Sequence, residues 1–314
     1  MPHAIQYDRH GGPEVLEFNE IPYALPGPGE AVVEIRAAGV NPLDTKLRSG
    51  ARKSAPLDGW RTVGADGAGV VTAVADDVEG VAVGDEVIVA EGPGTYATEL
   101  AVPVSKLTPK PASLSWEEAA AIPIPGSTAY QVLASLGVGE GDTLLWHAGA
   151  GAVGQIAIQL ARRAGATVIA TASERNHDHL RDLGAIPVAY GDGLLERVRA
   201  AAPEGVTVAV DAIGTQEAIE VSKALVADPS RIGTIVLGAD AADLGIRAWR
   251  AGSPHPLTDE EQALRDEAIP VIAELVANGE LRLEIAHRYP LADAAEAHRQ
   301  SETKQVRGKI ILLP

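Results

Sequence analysis

The sequence predicts an α/β protein in which a β-rich unit is interrupted by a doubly wound, parallel-sheet unit. Three observations predict it: a glycine turn set between a strand and a helix, regular strand–helix alternation from Ser115 onward, and short strands punctuated by Gly and Pro before it. The turn is Gly149-Ala150-Gly151-Ala152-Val153-Gly154, a G-x-G-x-x-G. The apolar run Thr143–His147 ahead of it reads as a buried parallel strand. Behind it, Val153, Ile156, Ala157, Leu160, Ala161 and Ala164 recur at the spacing of a helix packed on a sheet, and Gly165 stands where a C-cap belongs. Thr167–Thr171 then supplies a second strand. In a complete βαβ unit this pattern places a dinucleotide pyrophosphate on the N-terminus of the helix.

The second strand chooses the dinucleotide. NAD-selective units carry a carboxylate at its tip, roughly 20 residues past the fingerprint, which accepts hydrogen bonds from the ribose. Here the chain reads Thr171-Ala172-Ser173-Glu174-Arg175-Asn176. With Ser173 at the tip, Arg175 and Asn176 can donate to a 2′-phosphate and the cofactor is NADPH. With the register slipped by one, Glu174 takes the acidic place, the cofactor is NADH, and Arg175 is a solvated cation. NADPH is the preferred reading. By topology, the strand end Asp211-Ala212-Ile213-Gly214 borders the cofactor, and Gly238-Ala239 approaches its nicotinamide.

Before this unit, Glu14–Phe18, Ala31–Ala37, Gly67–Val74 and Glu86–Val89 read as short strands. The breaks Pro26-Gly27-Pro28-Gly29 and Gly84-Asp85 separate them, as in a compact barrel-like unit. After it, Val206–Asp211 and Ile232–Gly238 continue the parallel sheet. Residues 259–278 form a long amphipathic helix and Lys309–Leu313 a last strand. The expected division is 1–120 with 256–314 for the β-rich unit and 121–255 for the dinucleotide-binding unit.

Composition narrows the function classes. The 314 residues are 46% hydrophobic but only 4% aromatic, so alanine and valine must fill much of the core. The absence of cysteine excludes disulfides, thiolate zinc sites and cysteine nucleophiles. A formal net charge of −17 disfavours nucleic acid and anionic membranes as partners. No apolar run is long enough to span a bilayer, and Met1–Ile5 lacks the regions of a signal peptide, so a cytoplasmic location is expected.

The chain resembles the zinc-independent quinone oxidoreductases of the medium-chain dehydrogenase/reductase superfamily. The resemblance rests on Gly39–Asp44 with Leu47–Gly50, Val63–Val71, Gly84–Val87, Ala121–Tyr130, His147–Gly154, Pro290–Arg299 and Gly308–Leu312, in that order. It implies a GroES-like catalytic domain interrupted by a Rossmann domain, an active site in the cleft between them, and a homodimer. The zinc branch of the superfamily holds its metal with two cysteines and a histidine. At those landmarks this chain has Asn41 or its neighbours, Ala65 before Asp66, and Ile124, so no metal site is expected. Asp66 keeps the place of a carboxylate behind that metal and also reads as a turn or interface carboxylate.

The resemblance implies hydride transfer from NADPH to a quinone or an α,β-unsaturated carbonyl. It places Asn41 in the pocket as donor or orienter, with turn chemistry before Pro42 as the equal alternative. Asp44 and Thr45 are weaker candidates. Thr128 falls beside the nicotinamide or is a helix-start hydroxyl, and Tyr130 is a proton donor or a core residue. Lys309 is a cation near the pyrophosphate or a solvated strand-edge residue. His147 reads as a packing residue or as one that supports the site from behind, and His177 and His179 lack ligand spacing. Trp60 and Trp249 are candidates for the pocket; Trp60 alternatively anchors its loop, and Trp249 alternatively sits at a dimer interface. An enoyl-thioester reductase is the enzymatic alternative, although no basic cluster marks a phosphopantetheine entry. A non-catalytic NADPH-binding protein is the alternative from another class.

Overall fold

The structure is a computed structural model and describes residues 1–238, 240–249 and 256–314. The chain divides into two units, Met1–Ile124 with Ile269–Pro314, and Pro125–Ala268. The return crossing lies inside a continuous helix rather than at 256. It falls next to Pro270, which has no N–H to give to the preceding turn.

The first unit begins with β1 (His3–Tyr7), β2 (Glu17–Glu20), β3 (Glu30–Val40), helix α1 (Pro42–Ser49) and β4 (Arg61–Thr62). It continues through β5 (Asp66–Val74), β6 (Glu86–Val89), β7 (Glu99–Pro103), β8 (Leu107–Pro109) and α2 (Trp116–Ala121). The expected strand at 14–18 starts late. Pro13–Val15 instead forms a 3-10 turn, with the Gly12 N–H held by Glu14 Oε1 at 3.0 Å, and only Glu17–Glu20 pairs with β1.

The chain passes into the second unit within α3 (Pro123–Ser135). There β9 (Thr143–Trp146), α4 (Ala152–Arg163), β10 (Thr167–Thr171), α5 (His177–Asp182), β11 (Ile186–Val188) and α6 (Leu194–Ala201) alternate. After them come β12 (Val208–Asp211), α7 (Gln216–Leu225), β13 (Ile232–Thr234), α8 (Asp240–Asp243), β14 (Arg247–Ala248) and α9 (Asp259–Ala277). The strands pair in parallel in the order β11-β10-β9-β12-β13-β14. Strand order therefore reverses at β9, and the glycine turn leaves the carboxyl end of that strand. This is the place where doubly wound sheets open a ligand crevice. Strand β13 stops four residues before its expected end, because Thr234 Oγ1 accepts the N–H groups of Val236 and Leu237 and folds the chain into a turn. Leu145, Ile169, Val198, Ala209 and Ile232 form the core beneath the sheet.

The last strands, β15 (Ile285–Pro290) and β16 (Lys309–Leu313), flank α10 (Ala294–Glu302) and return to the first unit. Its larger sheet runs β15-β16-β3-β5-β6-β8, with β7 also on β3. Register shifts along β3 at Val32/Val33 and Ile35/Ala37 bend this long strand, so that one strand serves β5, β7 and β16. Val33, Ile35, Val71, Val102 and Leu312 pack as its core. Among the described residues no helix is long and apolar enough to cross a membrane.

Candidate functional site

Both units carry candidate residues. In the second, the three glycines of the turn have different jobs. A Cβ on Gly149 would lie 2.7 Å from the Ala170 Cβ, and one on Gly154 would lie 2.7 Å from the carbonyl oxygens of Ala148 and Gly149. Those two glycines let strand, turn and helix approach each other. A Cβ on Gly151 would meet only the Ala148 oxygen, at an ordinary 3.6 Å. Nothing inside the protein requires glycine there, so the open space answers to an external group. Gly151 is also the N-cap of α4 and offers no capping side chain. The first-turn N–H groups of Ala152, Val153 and Gly154 thus have no intrahelical acceptor and, with the helix dipole, favour an anion. Ala150, between the glycines, is buried, and its carbonyl accepts from Gln155 Nε2 at 2.8 Å.

Strand β10 ends at Thr171, and the Ala172 N–H still donates to the Val188 oxygen at 3.0 Å. Ser173 follows as the strand tip, in extended conformation, and its Oγ accepts from Asn176 Nδ2 at 3.1 Å. Glu174, Arg175 and Asn176 form the 3-10 turn behind it, with Glu174 and Arg175 exposed. At the end of β12, the buried Asp211 carboxylate accepts the N–H groups of Ile213 (3.0 Å) and Gly214 (2.8 Å) and the Thr234 hydroxyl (2.8 Å). That clamp fixes two strand ends and leaves the Ile213 side chain 37% exposed beside them. Gly238 has a positive φ of 53°. Ala239 lies outside the described residues.

Thr128 and Tyr130 sit within α3, not at its start. Thr128 Oγ1 accepts from Arg265 Nη1 at 3.4 Å. Tyr130 is half-buried. Burial, then the charge of Glu267 and a hydrogen bond to it, push the Tyr130 phenol up, so it holds its proton more firmly than a free tyrosine. Trp249 is a correction: it is buried at 2% exposure with its ring against Gly233, and it fills the core instead of lining a surface. Trp60 is 49% exposed.

In the first unit a buried polar cluster joins the end of β3, α1, β5 and β16. Asn41 is the N-cap of α1, and its N–H donates to Asp44 Oδ2 at 2.9 Å. Its side-chain amide donates to Asp66 Oδ2 at 2.9 Å and to the Gly39 oxygen at 3.3 Å. Its Oδ1 accepts from Lys309 Nζ at 2.6 Å. Both amide hydrogens and the oxygen are engaged within the cluster, which corrects the expectation of a donor open to substrate. Lys309 is a correction as well. It is 3% exposed, its ammonium lies 2.9 Å from Asp66 Oδ2, and it is neither a solvated edge residue nor a cation open to phosphate. Asp66 Oδ1 accepts the Ile124 N–H at 3.1 Å. Thr45 Oγ1 donates to the Pro42 oxygen at 3.0 Å.

Asp44 is buried within the cluster. Burial, reinforced by the Asp66 charge, raises its carboxyl from 3.8 to about 7, against the Asn41 N–H, the Tyr96 hydroxyl and Lys309. Tyr96 donates to Asp44 Oδ2 at 3.0 Å, and burial holds its phenol well above the usual value. Tyr96 is absent from the sequence-level candidates, because nothing in its neighbourhood along the chain points to a partner 52 positions away. Among the described residues no group of three or more His, Asp and Glu side chains could hold a metal.

A parallel sheet with an open glycine turn at its reversal point, joined to a β-rich unit from both chain ends, defines a dinucleotide-binding protein of two units. Residues 27–112 match the alcohol dehydrogenase GroES-like domain, and residues 183–312 match the zinc-binding dehydrogenase family. The chain is 33% identical to a quinone oxidoreductase of Pseudomonas aeruginosa, with 100% of both chains covered. It is 31% identical to a 2-haloacrylate reductase of a Burkholderia species, over 98% of this chain and 97% of that one. The structure of Escherichia coli quinone oxidoreductase complexed with NADPH superposes with a TM-score of 0.87 at 29% identity, covering 99% of this chain and 100% of that one. The chain belongs to the quinone oxidoreductase family of the medium-chain dehydrogenase/reductase superfamily and is an oxidoreductase.

Proposed function

We propose that the protein is an NADPH-dependent, zinc-independent reductase that delivers hydride to quinones or α,β-unsaturated carbonyls. The observation that carries the reading is the open Cβ position of Gly151 before an uncapped helix, a cradle shaped for a pyrophosphate. Ser173 at the strand tip, followed by Arg175 and Asn176, supports the 2′-phosphorylated cofactor over NADH. The E. coli relative with NADPH bound points the same way. When bound, NADPH supplies the hydride.

The chain's own residues bind and orient. The N–H groups of residues 152–154 hold the pyrophosphate, Gly149, Ala150 and Gly151 form the turn beneath it, and Ile213 and Gly238 border the cofactor. Asn41 is held in one orientation by Lys309 and Asp66 and orders the substrate-side wall beside α1. Thr128 and Tyr130 remain substrate-side candidates on α3.

The donor set supports zinc independence. An ammonium 2.6 Å from Asn41 Oδ1 and 2.9 Å from Asp66 would repel a dication, and Ala65 and Ile124 have no ligand atoms. Acceptors whose new charge delocalises need only hydrogen bonding to the developing oxygen, with the final proton from water. The name of the 2-haloacrylate reductase relative keeps activated alkenes beside quinones as substrates.

The test is oxidation of NADPH and NADH by p-benzoquinone, phenanthrenequinone and a simple enone with EDTA present. Acceptor-dependent oxidation that prefers NADPH and survives EDTA is expected. Loss of activity in EDTA, restored by zinc, would overturn the metal-free reading. Silence with every acceptor would overturn the substrate class.

A further inference from the structure

Directly before the glycine turn, one residue that is not glycine adopts a left-handed backbone: Ala148, at φ +62°. Such a conformation costs an L-residue about 1–2 kcal/mol, so something must hold it. The N–H of Ala148 donates to Thr171 Oγ1 at 3.2 Å, and the N–H of Gly149 donates to the Thr171 oxygen at 2.9 Å. One threonine at the end of β10 therefore grips both peptide groups of the kink.

The Thr171 hydroxyl must be turned correctly to accept from Ala148, and its neighbour turns it. Ser222 Oγ donates to the Ala218 oxygen at 2.7 Å, so its lone pairs face the His147 ring, whose Nε2 lies 3.2 Å away. His147 Nε2 therefore carries the proton and donates to Ser222. Nδ1 is left as an acceptor, 3.4 Å from Thr171 Oγ1. The relay runs from α7 through His147 and Thr171 to Ala148, inside one unit. Burial lowers the His147 ring to about 4, against the raising effect of Asp211, and so keeps Nδ1 unprotonated.

We propose that His147 is a positioning residue for pyrophosphate binding: it orients the Thr171 hydroxyl that holds Ala148 left-handed and so aims the first turn of α4. The aim depends on Ala148 because its carbonyl oxygen, with that of Gly149, packs against the start of α4, 2.7 Å from where a Cβ on Gly154 would fall. A shift of the kink therefore moves the helix start. This inference rests on the dinucleotide reading of the turn.

The test compares NADPH with adenosine 2′-monophosphate, which lacks the pyrophosphate. Affinities are measured by NADPH fluorescence and by calorimetry for His147→Leu, His147→Asn, Thr171→Val and Thr171→Ser. His147→Leu and Thr171→Val are expected to weaken NADPH roughly 5- to 10-fold, the size of one hydrogen bond, with adenosine 2′-monophosphate unchanged. His147→Asn, whose Oδ1 stands in for Nδ1, and Thr171→Ser are expected to restore binding. Equal weakening of both ligands, or no weakening of either, overturns the proposal. If His147→Leu does not fold, Thr171→Val against Thr171→Ser decides by the same criterion. Wild-type protein that binds NADH but not adenosine 2′-monophosphate overturns only the cofactor choice, and the comparison is then made between NADH and adenosine. Binding of neither dinucleotide overturns both readings.

Discussion

The glycine turn of the second unit and the polar cluster of the first solve opposite problems. The turn leaves backbone N–H groups unanswered at a helix start and keeps a Cβ position open at Gly151. The cluster answers its own groups: Asn41, Asp44, Asp66, Tyr96 and Lys309 satisfy one another in a buried space. The first region is built to receive an anion. The second is built to hold side chains still, with its one cation already neutralised. A substitution in the cluster should therefore act on stability, and one in the turn should act on binding.

Lys309→Met gives the largest expected effect on that contrast. It strands the Asp66 carboxylate in a buried site, and breaking such a pair costs about 3–5 kcal/mol. Thermal unfolding should show the loss, and adding Asp66→Asn should recover much of it. NADPH affinity should be unchanged wherever the protein remains folded. A fall in affinity at unchanged stability would return Lys309 to the pyrophosphate.

Asp44 tests the same cluster through pH. Its folded carboxyl, at about 7, lies above the unfolded 3.8, so the native state holds the proton more tightly. The contribution is full below about 4 and is lost as pH rises to about 7, on the order of 4 kcal/mol. Asp44→Asn lacks this dependence, so its melting temperature relative to wild type should climb between pH 4 and pH 8. His147 runs the other way. Its folded pKa of about 4 lies below the unfolded 6.5, so its contribution is present above 6.5 and lost as pH falls toward 4. A flat difference between Asp44→Asn and wild type would mean that Asp44 is ionised in the native protein.

In the turn, Gly151→Val should lower melting only slightly, by what a β-branched residue costs at a helix N-cap, because its Cβ meets no protein atom closer than an ordinary 3.6 Å. It should cost NADPH at least about 100-fold in affinity, near 2.7 kcal/mol, by closing the approach of the pyrophosphate. Gly154→Ala should instead destabilise the fold, since its Cβ meets two carbonyl oxygens at 2.7 Å. Arg175→Ala follows, with NADPH weakened by about 1.5–3 kcal/mol and NADH little changed. Equal losses for both cofactors would remove Arg175 from the 2′-phosphate.

What could be read from the sequence follows the same division. The turn was legible because its chemistry lies in backbone geometry, and backbone demands are written locally in glycine spacing and strand–helix periodicity. Strands β6, β10 and β16 likewise fall where alternation and turn residues put them. The cluster was legible only as separate residues. Lys309 meets Asn41 across 268 positions, and Tyr96 meets Asp44 across 52, so no local pattern encodes either pairing. The early end of β13 and the burial of Trp249 were missed for a related reason: the Thr234 hydroxyl that turns the chain is held by Asp211, 23 positions away, and the Trp249 ring packs on Gly233 of the neighbouring strand.

Ala148→Gly is the finest test, because it should separate holding the turn from shaping it. Glycine adopts φ +62° without a Cβ penalty, so the strain at this position disappears. Against that stands the greater freedom glycine gives the unfolded chain, which costs about 0.4–1 kcal/mol. The net change in stability should be within about 1 kcal/mol of zero, and on the stabilising side if the strain is real. The variant also relieves Thr171 of its task. In an Ala148→Gly background, Thr171→Val should therefore weaken NADPH less than it does in the wild type, a coupling that a double-mutant cycle reads directly. Additive losses would mean that Thr171 acts on the cofactor by a route other than the left-handed kink.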